Sequence, residues 1–229
     1  MKNLINIAKY QFVGTRKPLL IFYFIVILLG TLTSFPFPNR GTVVEGTNFG
    51  TISIVFIFIL GLNSFKDSYK FMQANNISRR SFYLGNILSF GALAFLMSLI
   101  DTCLTLLFKL FIPYRGIFET IYQSDRIVPG FILTFSMLFF AACLGWLVTL
   151  IYYRSGTLLK VIVSVSPLIL VFLFTYVSKI TGGALAEQVY RLQQWALGTQ
   201  PLNPANGMIF IALFGLIAYG ISFLLVRLC

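Results

Sequence analysis

The chain contains no histidine. That removes the commonest metal ligand and the commonest general base near neutral pH. It also removes any Ser–His–Asp or Cys–His arrangement and the two-histidine zinc protease helix. Acidic residues are almost as scarce: six among 229 residues, with charged residues of both signs making up 10%. A soluble domain carries about 25%. Cysteine is limited to Cys103, Cys143 and Cys229, far apart and each within or at the end of an apolar run. They read as small buried residues rather than disulfides or metal ligands. No Gly-x-x-x-x-Gly-Lys-Ser/Thr loop is present, so the chain has no such cradle for ATP phosphates. These absences leave no catalytic residue and no metal ligand to nominate.

What is abundant is apolar. Hydrophobic residues make up 58% of the chain, and the mean hydropathy is +0.90. Six apolar runs approach the ~20 residues that a membrane helix needs: roughly 18–35, 50–65, 84–112, 130–152, 158–178 and 207–226. Prolines punctuate them. Pro18 opens the first run, and Pro36 and Pro38 follow it. Pro113 closes the third, Pro129 precedes the fourth, and Pro201 and Pro204 precede the sixth. Pro167 lies inside the fifth, where a kink is expected. The second run is short. The third, at 1.5 Å per residue, reaches ~44 Å and must tilt or project beyond a hydrocarbon core of ~30 Å. The expectation is an all-α membrane protein of six transmembrane helices, a single transmembrane domain over 1–229.

The net charge of +11 would suggest nucleic acid in a soluble chain. Here the basic residues lie between apolar runs, which favours the membrane surface instead. Eleven of the seventeen, including Lys2, Lys9, Arg16, Lys17, Lys66, Lys70, Arg79, Arg80 and Arg154, fall on one set of connections. The opposite set holds Arg40, Lys109, Arg115, Arg126, Lys179 and Arg191, together with most of the acids. The excess of positive charge marks the first set as cytoplasmic. The expected protein is therefore multi-pass in the cell membrane, with both termini inside. The first run, with its basic lead, is too long for a signal-peptide core and has no small-x-small cleavage site after it, so it is read as retained.

Three segments between or before the spans carry further content. Residues 1–17 are amphipathic: Leu4, Ile5, Ala8 and Phe12 recur at helical spacing, with Lys2, Asn6, Lys9 and Gln11 facing away. Such a helix lies in the interface with its lysines towards anionic lipid. In the 66–80 loop, Tyr69, Met72 and Gln73 form one helical face, Asn75-Asn76 ends that helix, and Ser78 is positioned as N-cap of the next span. A loop held inside by positive charge alone is the plainer reading. In 179–206, Ala184, Leu185, Val189, Leu192, Trp195 and Ala196 alternate with Glu187, Gln188, Arg191, Gln193 and Gln194. That pattern gives an amphipathic outer helix, with Trp195 and Tyr190 suited to the interface.

Asp101 is the one acid well inside a span. Burying it in lipid is costly, so it should face protein or water. It is read either as a structural hydrogen-bonding residue or as part of a cavity. Lys109, two turns on, is near enough to the outer interface to snorkel. Ala141, Ala142 and Gly145 would let another helix approach the fourth span closely.

With its basic amphipathic start, six spans and an inner loop ending NNISRRSFYLGN, nearly the whole chain resembles a permease of the type-2 ATP-binding-cassette (ABC) exporter family. The family often has a lysine soon after the glycine of that loop; here Asn86 follows Gly85. The resemblance implies that the 66–80 loop is a coupling helix seated in an ATPase subunit, with Tyr69, Phe71, Met72, Gln73, Ser78, Arg79 and Arg80 at the contact. It implies that ATP and Mg bind the partner and that this chain carries no cofactor. It further implies pairing with a second permease copy or a similar permease, and an outer re-entrant segment in which Leu192 and Trp195 form an exit gate. The substrate expected is amphipathic or apolar: an antimicrobial peptide, lipid or drug leaving a bacterial cell. Three other readings compete. A self-sufficient channel or ion-coupled transporter needs internal charges, of which Asp101 is one. An intramembrane enzyme lacks a second buried acid. An accessory membrane subunit would have no ATPase partner.

Overall fold

A computed structural model describes residues 2–34, 49–65, 75–111, 114–199 and 203–228. Nine helices account for most of them: α1 Lys2–Gly14, α2 Arg16–Ser34, α3 Phe49–Asn63, α4 Arg79–Phe111, α5 Ile117–Tyr122, α6 Ile127–Arg154, α7 Thr157–Ile180, α8 Ala184–Leu197 and α9 Pro204–Leu228. Residues 80–111, 127–154 and 204–224 are long and apolar enough to cross a bilayer. Two bent pairs raise the number to as many as five: 6–14 with 16–32, meeting at 41°, and 160–166 with 171–180, meeting at 48°. The chain is thus a helical, multi-pass membrane protein with three to five candidate spans, against the six expected. The difference lies chiefly in α3. Its 15 residues rise only ~22 Å, short of a ~30 Å core. The bend in α7 straddles Pro167, whose missing N–H interrupts the helical ladder.

The core is built from α3, α4, α6 and α9. Ring contacts fix their directions. Tyr83 near the start of α4 meets Trp146 near the end of α6, while Phe95 meets Phe131. These two helices are therefore antiparallel. Phe65, just after α3, packs against Phe82 and Tyr153, and Phe49 at the start of α3 packs against Phe108 and Tyr114. On α9, Tyr219 and Phe223 meet Tyr83. One end of the bundle consequently gathers Arg80, Arg154 and the close of α9. The other gathers Lys109, α5 and Arg126. Arg80 and Arg154 thus sit at the opposite end of the bundle from Lys109 and Arg126.

The tightest crossing is between α3 and α6. A methyl group added at Gly61 would lie 2.5 Å from the Ala142 carbonyl oxygen, and one at Gly145 would overlap the Phe58 carbonyl. Thr149 seals the crossing by donating to the Leu62 carbonyl at 2.6 Å. Small residues allow this approach, as in other membrane helix pairs. The partner that Ala142 and Gly145 receive is α3. On α9 the buried positions Gly207, Ile211, Gly215, Ala218 and Ser222 form one stripe.

Three expectations are corrected. The inward face of α1 includes Ile7, which is 2% exposed, and Gln11, whose amide is buried rather than turned away. The reason is that α1 packs along α4 and not on lipid alone. Cys103 is exposed on α4, whereas Cys143 is buried. Lys109 does not snorkel alone; it pairs with two acids, described below.

Candidate functional site

The most chemically distinctive site is built along one stripe of α4, where Asp101, Thr105 and Lys109 succeed one another at intervals of four residues. At its inner end, Asp101 is 2% exposed and Ser53 of α3 is fully buried. Oδ1 of Asp101 accepts a hydrogen bond from the Tyr23 hydroxyl of α2 at 2.9 Å and from the Ser53 hydroxyl at 2.9 Å. Tyr23 also lies 3.2 Å from the Met97 carbonyl. One carboxylate thus joins three helices. Its second oxygen, Oδ2, is buried without a hydrogen-bond partner among the described residues. A buried acceptor left this way is costly unless something else satisfies it.

At the outer end, Lys109 Nζ donates to Glu119 on α5 and, at 2.5 Å, to Asp125 in the turn before α6. Burial pushes the Glu119 carboxyl up; its hydrogen bond to Asp125 adds to this and Lys109 opposes it. Asp125, near the solvent edge, is held below its usual range by its hydrogen bond to Glu119 and by Lys109. The two acids behave as a pair around one lysine. Tyr114 completes this end. Its hydroxyl accepts the Phe49 backbone N–H at 2.8 Å, satisfying one of the orphan donors at the start of α3.

Between the two ends runs a cleft of about 60 Å³, lined by Asp101, Thr102, Thr105, Lys109, Glu119, Asp125, Arg126, Thr134 and apolar neighbours from α5 and α6. A water needs ~10–15 Å³ of such space, so the cleft has room for only a few. It is far too small to enclose a peptide or drug. What it offers is polar oxygen leading to one buried carboxyl.

The remaining nominated residues lie elsewhere. Tyr69, Phe71, Met72 and Gln73 fall outside the described residues. Asn76 adopts a left-handed φ of 54°, which Asn tolerates. Ser78 then caps α4, its Oγ accepting the Ser81 N–H at 3.2 Å and donating to Ser81 Oγ at 2.8 Å. Arg79 opens the helix, and Arg80 is exposed. Along α4, Ser78 and Asp101 are separated by ~35 Å, so the loop and the acid do not form one site. Leu192 and Trp195 are on α8 as expected, but both project unpacked, at 64% and 67% exposed. The end of α8 is held, since the Tyr122 hydroxyl donates to the Leu197 carbonyl at 2.5 Å. Among the described residues no group of three His, Cys, Asp or Glu side chains is arranged to hold a metal.

Sequence reasoning missed α5, the Lys109–Glu119–Asp125 group and both donors to Asp101. The signal for the donors was weak: a lone acid in a span demands hydroxyls on neighbouring helices, without saying which. Comparison with family models, curated proteins and solved structures returns no match for this chain.

Proposed function

We propose that this chain is the permease subunit of an ATP-driven exporter of the type-2 ABC kind, working with a separate ATPase subunit and a second permease. In this reading α2, α3, α4, α6, α7 and α9 are six spans, α3 being tilted little or seated where the bilayer is thin. The end bearing Arg16, Lys17, Arg80 and Arg154 faces the cytoplasm. The observation that carries the reading is the start of the chain: a basic helix, α1, set at 41° to α2 and packed on α4. The Ser78-capped entry to α4, directly after the 66–74 segment, supports it. So does the amphipathic α8 between α7 and α9, whose Val189, Leu192 and Trp195 are exposed. With no phosphate loop in the chain, ATP-driven work requires a partner at the inner connections, and 66–80 is the longest polar connection there.

The substrate proposed is amphipathic or apolar, moved within or along the spans rather than through the small polar cleft. The decisive experiment is affinity purification from the native membrane, followed by reconstitution. An ATP-binding-cassette ATPase should co-purify, and its hydrolysis should rise with an amphipathic peptide or lipid substrate. Transport by the purified chain alone, driven by an ion gradient and with no ATPase, would favour the second reading. That reading, an ion-coupled carrier, draws its support from Asp101 beside the cleft.

A further inference from the structure

We infer that Asp101 is a proton-binding carboxyl reached by water from the α5 end of the bundle, with the cleft along α4 as the access path. The inference does not rest on the exporter reading, because it concerns only which aqueous phase communicates with Asp101.

Three observations carry it. First, Asp101 is divided in its duties. Oδ1 accepts from Tyr23 and Ser53, which satisfies it and ties α2 and α3 to α4. Oδ2 is buried and has no partner among the described residues, yet Asp101 lines the cleft. A proton can therefore be added at Oδ2 without breaking either bond that holds the helices. Secondly, the α4 wall of the path carries polar groups from Asp101 to Lys109, facing apolar neighbours from α5 and α6. Thr102 and Thr105 satisfy their own hydroxyl protons on the Ser98 and Asp101 carbonyls, leaving oxygen lone pairs free to accept from water. Thirdly, the cleft matches the ligand. Its volume of about 60 Å³ admits a few waters, enough for proton exchange. No covalent step is involved: the proton comes from cleft water and returns to it.

The charged and titratable groups around Asp101 come from every element packed there. They are Tyr23 from α2, Tyr114 before α5, Glu119 on α5, Asp125 and Arg126 before α6, and Lys109 on α4 itself; α3 contributes Ser53, which does not titrate. At the mouth Lys109 is engaged by two carboxylates, so it does not stand as an unopposed barrier to a positive ligand.

Two measurements test the proposal. In the purified full chain in lipid discs, infrared difference spectra across an acid-to-alkaline titration should contain a protonated-carboxyl band. The band should vanish in Asp101→Asn, which keeps an acceptor for Tyr23 and Ser53, and should survive in Glu119→Gln. Should Asp101→Asn fail to fold, carbon-isotope-labelled aspartate in a chain carrying Asp67→Asn and Asp125→Asn reports Asp101 alone. A folded protein in which no Asp101 band titrates overturns the proposal. So does a titration displaced by sodium relative to choline, which would assign the site to a metal cation. The second measurement uses proteoliposomes and a background without Cys103, Cys143 and Cys229. Thr102→Cys and Thr105→Cys should react with a small membrane-impermeant thiol reagent from the side that labels Arg126→Cys. Reaction only from the side that labels Arg80→Cys, or none from either, overturns the access path.

Discussion

Helices α6 and α7 follow one another, are similarly apolar, and meet opposite fates. On α6, Leu133, Leu138, Ala142, Trp146 and Leu150 are buried, and Gly145 lies against the backbone of α3. On α7, Leu158, Leu168 and Phe172 are at least two-thirds exposed. Hydrophobicity does not separate them, since lipid is as apolar as leucine and gives helices no reason to associate. Glycine and alanine do. Ala141, Ala142, Gly145 and Thr149 on α6 permit close approach and supply an interhelical hydrogen bond. Through the middle of α7 the sequence runs VIVSVSPLILVFLF without glycine or alanine. Inside a membrane, packing is thus written in the residues that are missing bulk.

The sharpest way to break this comparison is Gly145→Leu. Its side chain would have to displace the Phe58 carbonyl and the α3 backbone, which cannot give as a flexible side chain can. We expect a loss of about 3 kcal/mol or more, at the upper end for overpacked cores. Thermal unfolding in detergent and size-exclusion profiles should show a destabilised or aggregated protein. A monodisperse variant with unchanged melting would mean that the α3–α6 crossing is not close.

Next comes the carboxylate that joins α2, α3 and α4. Asp101→Ala removes the acceptor for Ser53 and leaves its buried hydroxyl unsatisfied, at a cost of about 2 kcal/mol. Asp101→Asn should recover most of that. Equal melting temperatures for the two variants would show that the bonds to Oδ1 contribute little.

Much of this architecture was legible beforehand. Helix limits matched the apolar runs within a few residues, because hydropathy and proline placement are local properties of the chain. Ser78 was legible as a cap for the same reason. The bend near Pro167 follows from one residue's missing N–H. What could not be read was pairing. Asp101 announced a need for donors, but Tyr23 and Ser53 lie 78 and 48 residues away. Lys109 resembled a snorkelling lysine because Glu119 and Asp125 approach it through α5, a six-residue helix too short to leave a periodic signal. Gln11 was assigned to the polar face by periodicity, which sees one helix at a time and not α4 beside it.

A third test moves from the packed core to the inner connection. Under the exporter proposal, Phe71→Ala with Met72→Ala removes aromatic and thioether anchors from a docking surface. The expected cost is ~1–2 kcal/mol, a ~5–30-fold loss of ATPase-subunit affinity, with membrane insertion unchanged. Co-purification and substrate-stimulated hydrolysis would read it. Wild-type values for both would remove the loop as the coupling element and leave it as a topogenic segment.

A smaller effect is expected at the outer end. Lys109→Met removes the cation between Glu119 and Asp125, but Asp125 is largely exposed and such pairs are screened. We expect about 1 kcal/mol or less of stability, seen chiefly as faster hydrogen exchange in α5. A loss several times larger would mean that the pair anchors the bundle and that the α5 end is as tightly built as the α3–α6 crossing.

The smallest effect should come from α7, and it sharpens the contrast most. Leu168→Ala combined with Phe172→Ala deletes two large side chains that are exposed within the described chain. In a water-soluble core such deletions would cost several kcal/mol, because the cavity adds to the lost transfer energy. Here lipid tails refill the space, and the change in monomer stability should stay within about 0.5 kcal/mol, as for other surface sites. Unfolding of the isolated chain in detergent measures that term. Crosslinking in native membranes asks the separate question of whether a second permease covers this face. An unchanged monomer with a weakened crosslink would place the partner on α7. A monomer destabilised by more than about 1 kcal/mol would instead show that α7 has intramolecular contacts tighter than its exposure implies, and the distinction drawn between α6 and α7 would fail.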